Sequence, residues 1–264
     1  MNHGVKNGDV RKEYQPKITD IFLDFDDTLY DTYGNSVIAL HELFDALQLE
    51  RWFPDAQVFY DEYWKANIDL WTRYSKGEIT RDYLIVERFR RPFSASPLLK
   101  SGESLECRTE SLEFVSSQFC LEASDRFLDF CSSKPGLVEG ARELMDYLKA
   151  QGYRLHMCSN GFHEVQYKKL RACGLYDYFD TIILSEDAGV NKPAPEFFDY
   201  ALRQTKAQRE TTLMIGDNFN TDILGAKRAG LRTAYFNRYP DHPATEPVDY
   251  EVTSLKELME KLKN

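Results

Sequence analysis

Long apolar runs are missing from this chain. No stretch approaches the ~20 residues that a helix needs to cross a bilayer, so no segment reads as a membrane-spanning helix. Cysteine is scarce. Cys107, Cys120, Cys131, Cys158 and Cys173 make an odd count with no pair at C-x-x-C spacing. That argues against a disulfide framework or a zinc site and for reduced thiols in a cytoplasmic protein. Basic charge is also short: 33 Lys and Arg stand against 43 Asp and Glu, a formal net charge of −10. A nucleic-acid polymer is bound by a basic surface that displaces counterions, so it is not an expected partner. An anionic substrate would have to be drawn in by a few local cations or a metal. The start "MNHGVKNGDVRKEYQPK" lacks the apolar core of a signal peptide, and residues 1–17 read as a flexible leader. There is no G-x-x-x-x-G-K-[ST] loop and no G-x-G-x-x-G fingerprint, and "HEVQY" and "HELFD" lack the second His of H-E-x-x-H.

What is present is a globular composition, 42% hydrophobic in 264 residues, enough for one large domain or a core with a smaller one attached. Four short apolar runs end abruptly in small or acidic residues: "IFLDFDDT", "YRLHMCSNG", "FDTIILSED" and "TLMIGDNFNTD". Such runs read as buried parallel strands. Helical patterns alternate with the later ones: "GARELMDYLKAQG", "HEVQYKKLRACG" and "KPAPEFFDYALRQT" precede them in turn, and "DILGAKRAG" follows the last. Pro195 sits near a first turn, and Gly152, Gly174 and Gly230 fall where helices should stop. Alternation of this kind implies an α/β fold, a Rossmann-like doubly wound parallel sheet with helices on both faces. Residues 36–132 break the pattern with helical periodicity and little strand signal, apart from a Ser-, Pro- and Gly-containing loop around Ser94 to Glu106. The expected organisation is a core of residues 18–35 and 133–264, interrupted by an inserted all-helical cap over 36–132.

Ligands of an open parallel sheet bind at the carboxyl ends of its strands. Asp24, Asp26, Ser159, Lys192, Asp217 and Asp222 all fall at or just beyond expected strand ends. Carboxylates crowded in this way repel one another unless a cation sits among them. Oxygen-only ligands favour a hard ion. An EF-hand loop starting at Asp24 fails, because its sixth residue would be Leu29 and its twelfth Asn35. Mg²⁺ fits better. Taken singly, Ser159-Asn160-Gly161 is an ordinary turn, Lys192 a loop lysine, and Asp217 or Asp222 a helix cap. Asp27 could begin a turn. For Thr28 and Asp31 a turn or cap role is preferred. His163 reads as an exposed first-turn residue, and His41 and His156 as packing positions.

"DFDDT", "SNG", the Lys of "NKPAPEFF" and "GDNFNTD" resemble the four ordered motifs of the haloacid dehalogenase superfamily, and the insert after the first resembles its helical cap. The resemblance implies a nucleophile at Asp24, which would form an aspartyl-phosphate, and a general acid and base at Asp26. It implies Mg²⁺ held by Asp24, the Asp26 carbonyl and Asp217, with Asp222 acting through water or by orienting the site. It places Asp27, Ser159, Asn160, Gly161 and Lys192 around the phosphoryl group. On this reading Asp24 stays ionised and Asp26 titrates higher. An acid at position 26 points to phosphate esters, since halide departs without a proton.

The longest cap helix carries Tyr60, Tyr63, Trp64, Asn67, Trp71 and Tyr74, most of them on one face. Trp71 and Tyr74 suit a bundle core. Asn67 is a polar misfit that either meets a partner or faces a wet cleft. The segment "YWKANIDLWTRYSKGEIT" resembles the cap of bacterial pyrimidine 5′-nucleotidases, which makes Tyr63, Asn67 and Trp71 candidate specificity residues. "RPFSASPLLKSGESLECRTE" departs from that pattern. The expected function is a cytoplasmic Mg²⁺-dependent phosphomonoesterase, monomer or homodimer, acting on nucleoside monophosphates. The alternatives are a phosphatase or mutase for sugar phosphates or other small phosphorylated metabolites, and an inactive relative that only binds.

Overall fold

The structure is a computed structural model and describes residues 16–100, 114–238 and 243–263. Six strands form one sheet: β1 (Asp20–Leu23), β2 (Arg154–Ser159), β3 (Thr181–Leu184), β4 (Thr212–Gly216), β5 (Arg232–Phe236) and β6 (Tyr250–Val252). Their order is β3-β2-β1-β4-β5-β6, and every pairing is parallel. All four residues of β1 are buried, because β1 lies between β2 and β4 with helices on both faces. That burial explains its unbroken apolar run. The chain moves outward in one direction through β2 and β3, then crosses to the other side of β1 for β4. This reversal opens the crevice in which ligands of such sheets bind.

Side chains alternate across the sheet. Ile21, Leu23, Leu155, Met157, Leu213 and Ile215 pack with residues of α6 (Ala141–Ala150), α7 (His163–Ala172) and α11 (Leu255–Leu262). Phe22, Cys158 and Met214 face the other way, onto α9 (Pro195–Thr205) and α10 (Gly225–Arg228). The one-turn helix α8 (Ser185–Ala188) follows β3 directly. β5, β6 and α11 are additions to the sequence reading.

The insert holds α1 (Thr32–Ala46), α2 (Ala56–Ser75), α3 (Arg81–Ala95), α4 (Pro97–Lys100) and α5 (Ser117–Ser132). Asp55, Thr80 and Ser116 cap three of these, each accepting a backbone N–H one turn in. The loop expected around Ser94 to Glu106 is helical over most of its described part. α3 continues through Pro92 to Ala95, and Phe93 is buried against Phe59, Phe89 and Phe114. Its aromatic core also includes Tyr63 and Phe127. The cap rests on the core through Phe162, whose ring lies 5.4 Å from Trp71 and 5.9 Å from Tyr74. Arg81 covers the same ring at 4.4 Å and pairs with Glu164 and Glu186. Residues 1–15 of the expected leader, Cys107 and residues 101–106 of the expected loop lie outside the described residues. Cys120, Cys131, Cys158 and Cys173 are buried free thiols. Among the described residues no helix is long and apolar enough to cross a membrane.

Candidate active site

β1 delivers Asp24 to the crevice. Its N–H donates to the carbonyl of Ile215 at 2.9 Å, which prolongs the β1–β4 ladder by one residue. Asp24 is buried, and beside it lies Lys192, itself 1% exposed. The Lys192 ammonium donates to Asp24 Oδ1, Asp222 Oδ1 and the Cys158 carbonyl, each at 2.7 Å. All three of its protons are used, so it neutralises carboxylates and has none to spare for a phosphoryl oxygen. Asn160 has a related task. Its carbonyl accepts the Lys192 N–H at 2.8 Å, and its amide donates to the Lys192 carbonyl at 2.9 Å. The Asn160 side chain therefore positions Lys192.

Asp24, Asp217 and Asp222 each offer a carboxylate oxygen within 4.8 Å of the others. Three acids with one lysine leave excess negative charge in a buried place. Burial, with Asp222 nearby, pushes Asp24 up to about 7 despite Lys192. Burial and the neighbouring Asp24 push Asp217 well above its ordinary range. Carboxylates strained in this way fit a hard divalent cation, which would favour their charged forms. Thr28 is part of this group and caps no helix. Its hydroxyl lies 3.0 Å from Asp24 Oδ2 and 2.8 Å from Asp217 Oδ1, and it accepts the Asp217 N–H. One hydroxyl proton thus serves two acids. Helix capping after β4 falls to Asn218, which accepts the N–H groups of Asn220 and Thr221. Asp222 lies inside that π-helical turn (Phe219–Leu224) and folds back onto the Asn218 N–H. Gly216 makes room for it, since a Cβ there would come within 2.4 Å of Asp222 Oδ2.

Asp26 stands apart from the three. Oδ1 accepts from Lys169 Nζ at 2.5 Å and from Thr32 Oγ1 at 2.6 Å, and Oδ2 accepts from Gln166 Nε2 at 2.5 Å. Burial alone would raise its pKa, but the Lys169 charge and these hydrogen bonds hold it below the usual carboxylate range. This reverses the expected order of Asp24 and Asp26. The cause is Lys169, a buried cation that the sequence reading did not single out. Gln166 was missed as well. A signal was there: Gln166 and Lys169 share the inner face of α7 with Val165 and Leu170.

Ser159 ends β2, and its Oγ accepts from Gln166 Nε2 at 2.7 Å and from the Gly161 N–H at 3.0 Å. Its own proton remains for a ligand oxygen. Asp27 is engaged elsewhere. Its φ is +61°, its N–H goes to the Tyr30 carbonyl, and its carboxylate takes the Tyr33 N–H and Arg238. Burial raises its pKa to about 6. Its place around the phosphoryl group is not supported by these contacts. Asp31 also pairs with Arg238, at 3.0 Å.

Of the cap candidates, Tyr63 is buried among Phe59, Phe89 and Phe127, and Trp71 packs on Phe162. Both serve packing in this conformation. Asn67 is half-buried, its Oδ1 3.4 Å from the Tyr63 hydroxyl. Buried Arg88 donates to Ser124 at 2.7 Å beside them. His163 is exposed at the start of α7, and His156 is buried against Asp20 at 3.0 Å. His41 is exposed, with its ring 4.7 Å from that of Tyr60.

A doubly wound sheet with a capped acidic crevice at its switch point defines a hydrolase of the haloacid dehalogenase type. Residues 21–230 match the family model of the haloacid dehalogenase-like hydrolases, and the chain belongs to that family. It is 32% identical to the HAD-hydrolase YfnB of Bacillus subtilis (strain 168) over 241 residues, covering 90% of this chain and 92% of that one. The crystal structure of YfnB bound to magnesium superposes with a TM-score of 0.76 at 28% identity, over 94% of this chain and 100% of that one. The pyrimidine 5′-nucleotidase YjjG of Escherichia coli (strain K12) is 30% identical over 250 residues, 92% of this chain and 96% of that one. The pyrimidine 5′-nucleotidase PynA of Streptococcus pneumoniae (strain ATCC BAA-255 / R6) is 29% identical over 245 residues, 92% and 94%.

Proposed function

We propose that this protein is a Mg²⁺-dependent phosphomonoesterase that removes the 5′-phosphate from pyrimidine nucleoside monophosphates. The observation that carries the phosphatase reading is the pair of aspartates two residues apart with opposite surroundings. Asp24 lies among acids and Lys192, and Asp26 is held by its own donors. In the first step an Asp24 oxygen attacks phosphorus while the bond from phosphorus to the ester oxygen breaks. Asp26, which Lys169 keeps ionised without substrate, takes up a proton as the phosphate anion binds beside it and gives that proton to the departing oxygen. In the second step a water attacks the phosphorus of the aspartyl-phosphate and passes a proton to Asp26. The bond to Asp24 breaks, and inorganic phosphate leaves. Lys192 keeps Asp24 aligned, and the Ser159 hydroxyl donates to a phosphoryl oxygen. Mg²⁺ held by Asp24, Asp217 and the Asp26 carbonyl would neutralise charge on the phosphoryl group. Asp222 orients Lys192.

The nucleotide reading is supported by the full-length similarity to two pyrimidine 5′-nucleotidases, cap included. Asn67, the Tyr63 hydroxyl and Arg88 also form a polar group beside the apolar core of the cap. The test is phosphate release with Mg²⁺ from pyrimidine and purine nucleoside monophosphates and sugar phosphates, with Asp24→Asn as blank. Uridine and thymidine monophosphates should lead, and Asp24→Asn should be inactive. Sugar phosphates in the lead would overturn the nucleotide reading, and product that retains its phosphate would mark a mutase.

A further inference from the structure

We propose that Lys169 and Gln166 are positioning residues for Asp26: together they fix both oxygens of its carboxylate and tie it to the phosphate-receiving hydroxyl of Ser159. The inference rests on the reading of Asp26 as acid and base. Gln166 and Lys169 lie three residues apart on α7, on one face of the helix. Both are buried, at 0% and 6% exposure. A buried lysine and a buried glutamine on an apolar face carry a desolvation cost that ordinary packing would avoid. Here both are turned toward one carboxylate.

The Gln166 amide has two protons, and both are used. One goes to Asp26 Oδ2 and the other to Ser159 Oγ, so a single planar group sets the distance between them. Its carbonyl oxygen is buried without a partner, so the orientation is dictated by the donor side. Gly161 belongs to this device. A Cβ at that position would stand 2.0 Å from Gln166 Nε2, so only glycine admits the bridge. Lys169 approaches from the other side and sits 5.0 Å over the ring of Tyr30. Tyr30 is itself anchored through its hydroxyl to the carbonyls of Cys131 at 2.7 Å and Lys134 at 2.9 Å. With Thr32 as second donor on Oδ1, that oxygen carries two donors and Oδ2 one. The geometry therefore assigns the transferred proton to Oδ2.

A held acid matters most when the leaving group is a poor one. A nucleoside alkoxide needs the proton, whereas p-nitrophenolate departs without it. The experiment compares kcat/KM for uridine monophosphate and p-nitrophenyl phosphate in wild type, Asp26→Asn, Lys169→Met and Gln166→Leu, with melting temperatures recorded. kcat/KM reports the steps up to departure of the leaving group. Lys169→Met and Gln166→Leu should each lose ~10–100-fold more on uridine monophosphate than on p-nitrophenyl phosphate, a fraction of the ~10²–10⁴ that general acid–base catalysis supplies. If Lys169→Met does not fold, Gln166→Leu decides alone. Equal losses on both substrates in the folded variants, with Asp26→Asn still selective, would overturn the positioning role only. Equal losses in Asp26→Asn as well would overturn the acid–base reading and this inference with it.

Discussion

Magnesium should stabilise this protein strongly at pH 8 and hardly at all at pH 5. Without metal, Asp24 titrates at about 7 in the fold, against 3.8 for the unfolded group. Between those values the folded protein holds a proton that the unfolded chain releases, so stability falls as pH rises through the window. About 3 pH units at 1.36 kcal/mol each give a loss of ~4 kcal/mol by pH 7. Asp217 is shifted in the same direction and adds to it. Asp26 is shifted the other way, so its contribution is present above its unfolded value and lost only in stronger acid. His156, pushed down by burial, gains stability as pH climbs through the unfolded histidine range and partly masks the trend. Comparing magnesium with EDTA at each pH cancels such remote groups. At 100 times its dissociation constant a ligand contributes ~2.7 kcal/mol. With ~2–4 °C per kcal/mol for a chain of this size, that is a rise of ~5–10 °C at pH 8. Two pH units below 7, protons on Asp24 alone should weaken magnesium ~100-fold and erase the rise. Thermal melts at pH 5 and 8, with magnesium or with EDTA, make the comparison. Equal shifts at both pH values, or none at pH 8, would refute the argument that these acids form the metal site.

Three further outcomes follow from the packing. Thr28→Val removes the hydroxyl shared by Asp24 and Asp217; losing a hydrogen bond to a charged group, ~1.5–3 kcal/mol, should lower kcat ~10–100-fold in steady-state assays. Gly161→Ala places a methyl group against the Gln166 amide and should displace it from Ser159, at up to ~10²-fold in rate, with a crystal structure showing the moved side chain. Phe162→Ala removes the ring on which Trp71 and Tyr74 rest and should cost ~3–5 kcal/mol in urea unfolding.

The sheet was legible where strands end in punctuation. β1, β2 and β4 run from apolar residues straight into Asp24, Ser159 and Asp217, because the carboxyl ends of central strands are where chemistry is placed. β5 and β6 carry no such mark. β6 is three residues long, and β5 begins on Arg232 and Thr233, so neither shows a periodic signal. The core motifs come together in one crevice, but single letters did not reveal hydrogen-bond saturation. The letters of "SNG" do not show that both ends of the Asn160 side-chain amide bond to Lys192. Lys169 was hidden in "QYKKLR", where adjacent lysines look solvated. Lys168 does reach outward to Asp129, while Lys169, about 100° further round the helix, turns in to Asp26. The aromatic stripe of α2 was correctly located, but whether a ring lines a cleft or a core depends on neighbours far away in sequence, as Phe162 is for Trp71.

The central claim is that Asp24 takes the phosphoryl group. The most direct measurement is a single-turnover rapid quench with excess enzyme, magnesium and ³²P-labelled uridine monophosphate, followed by proteolysis and peptide mapping. The account predicts transient label on the peptide carrying Asp24, removable by hydroxylamine and absent from Asp24→Asn. Phosphate appearing with no labelled enzyme at any time point, or label on another residue, would contradict it.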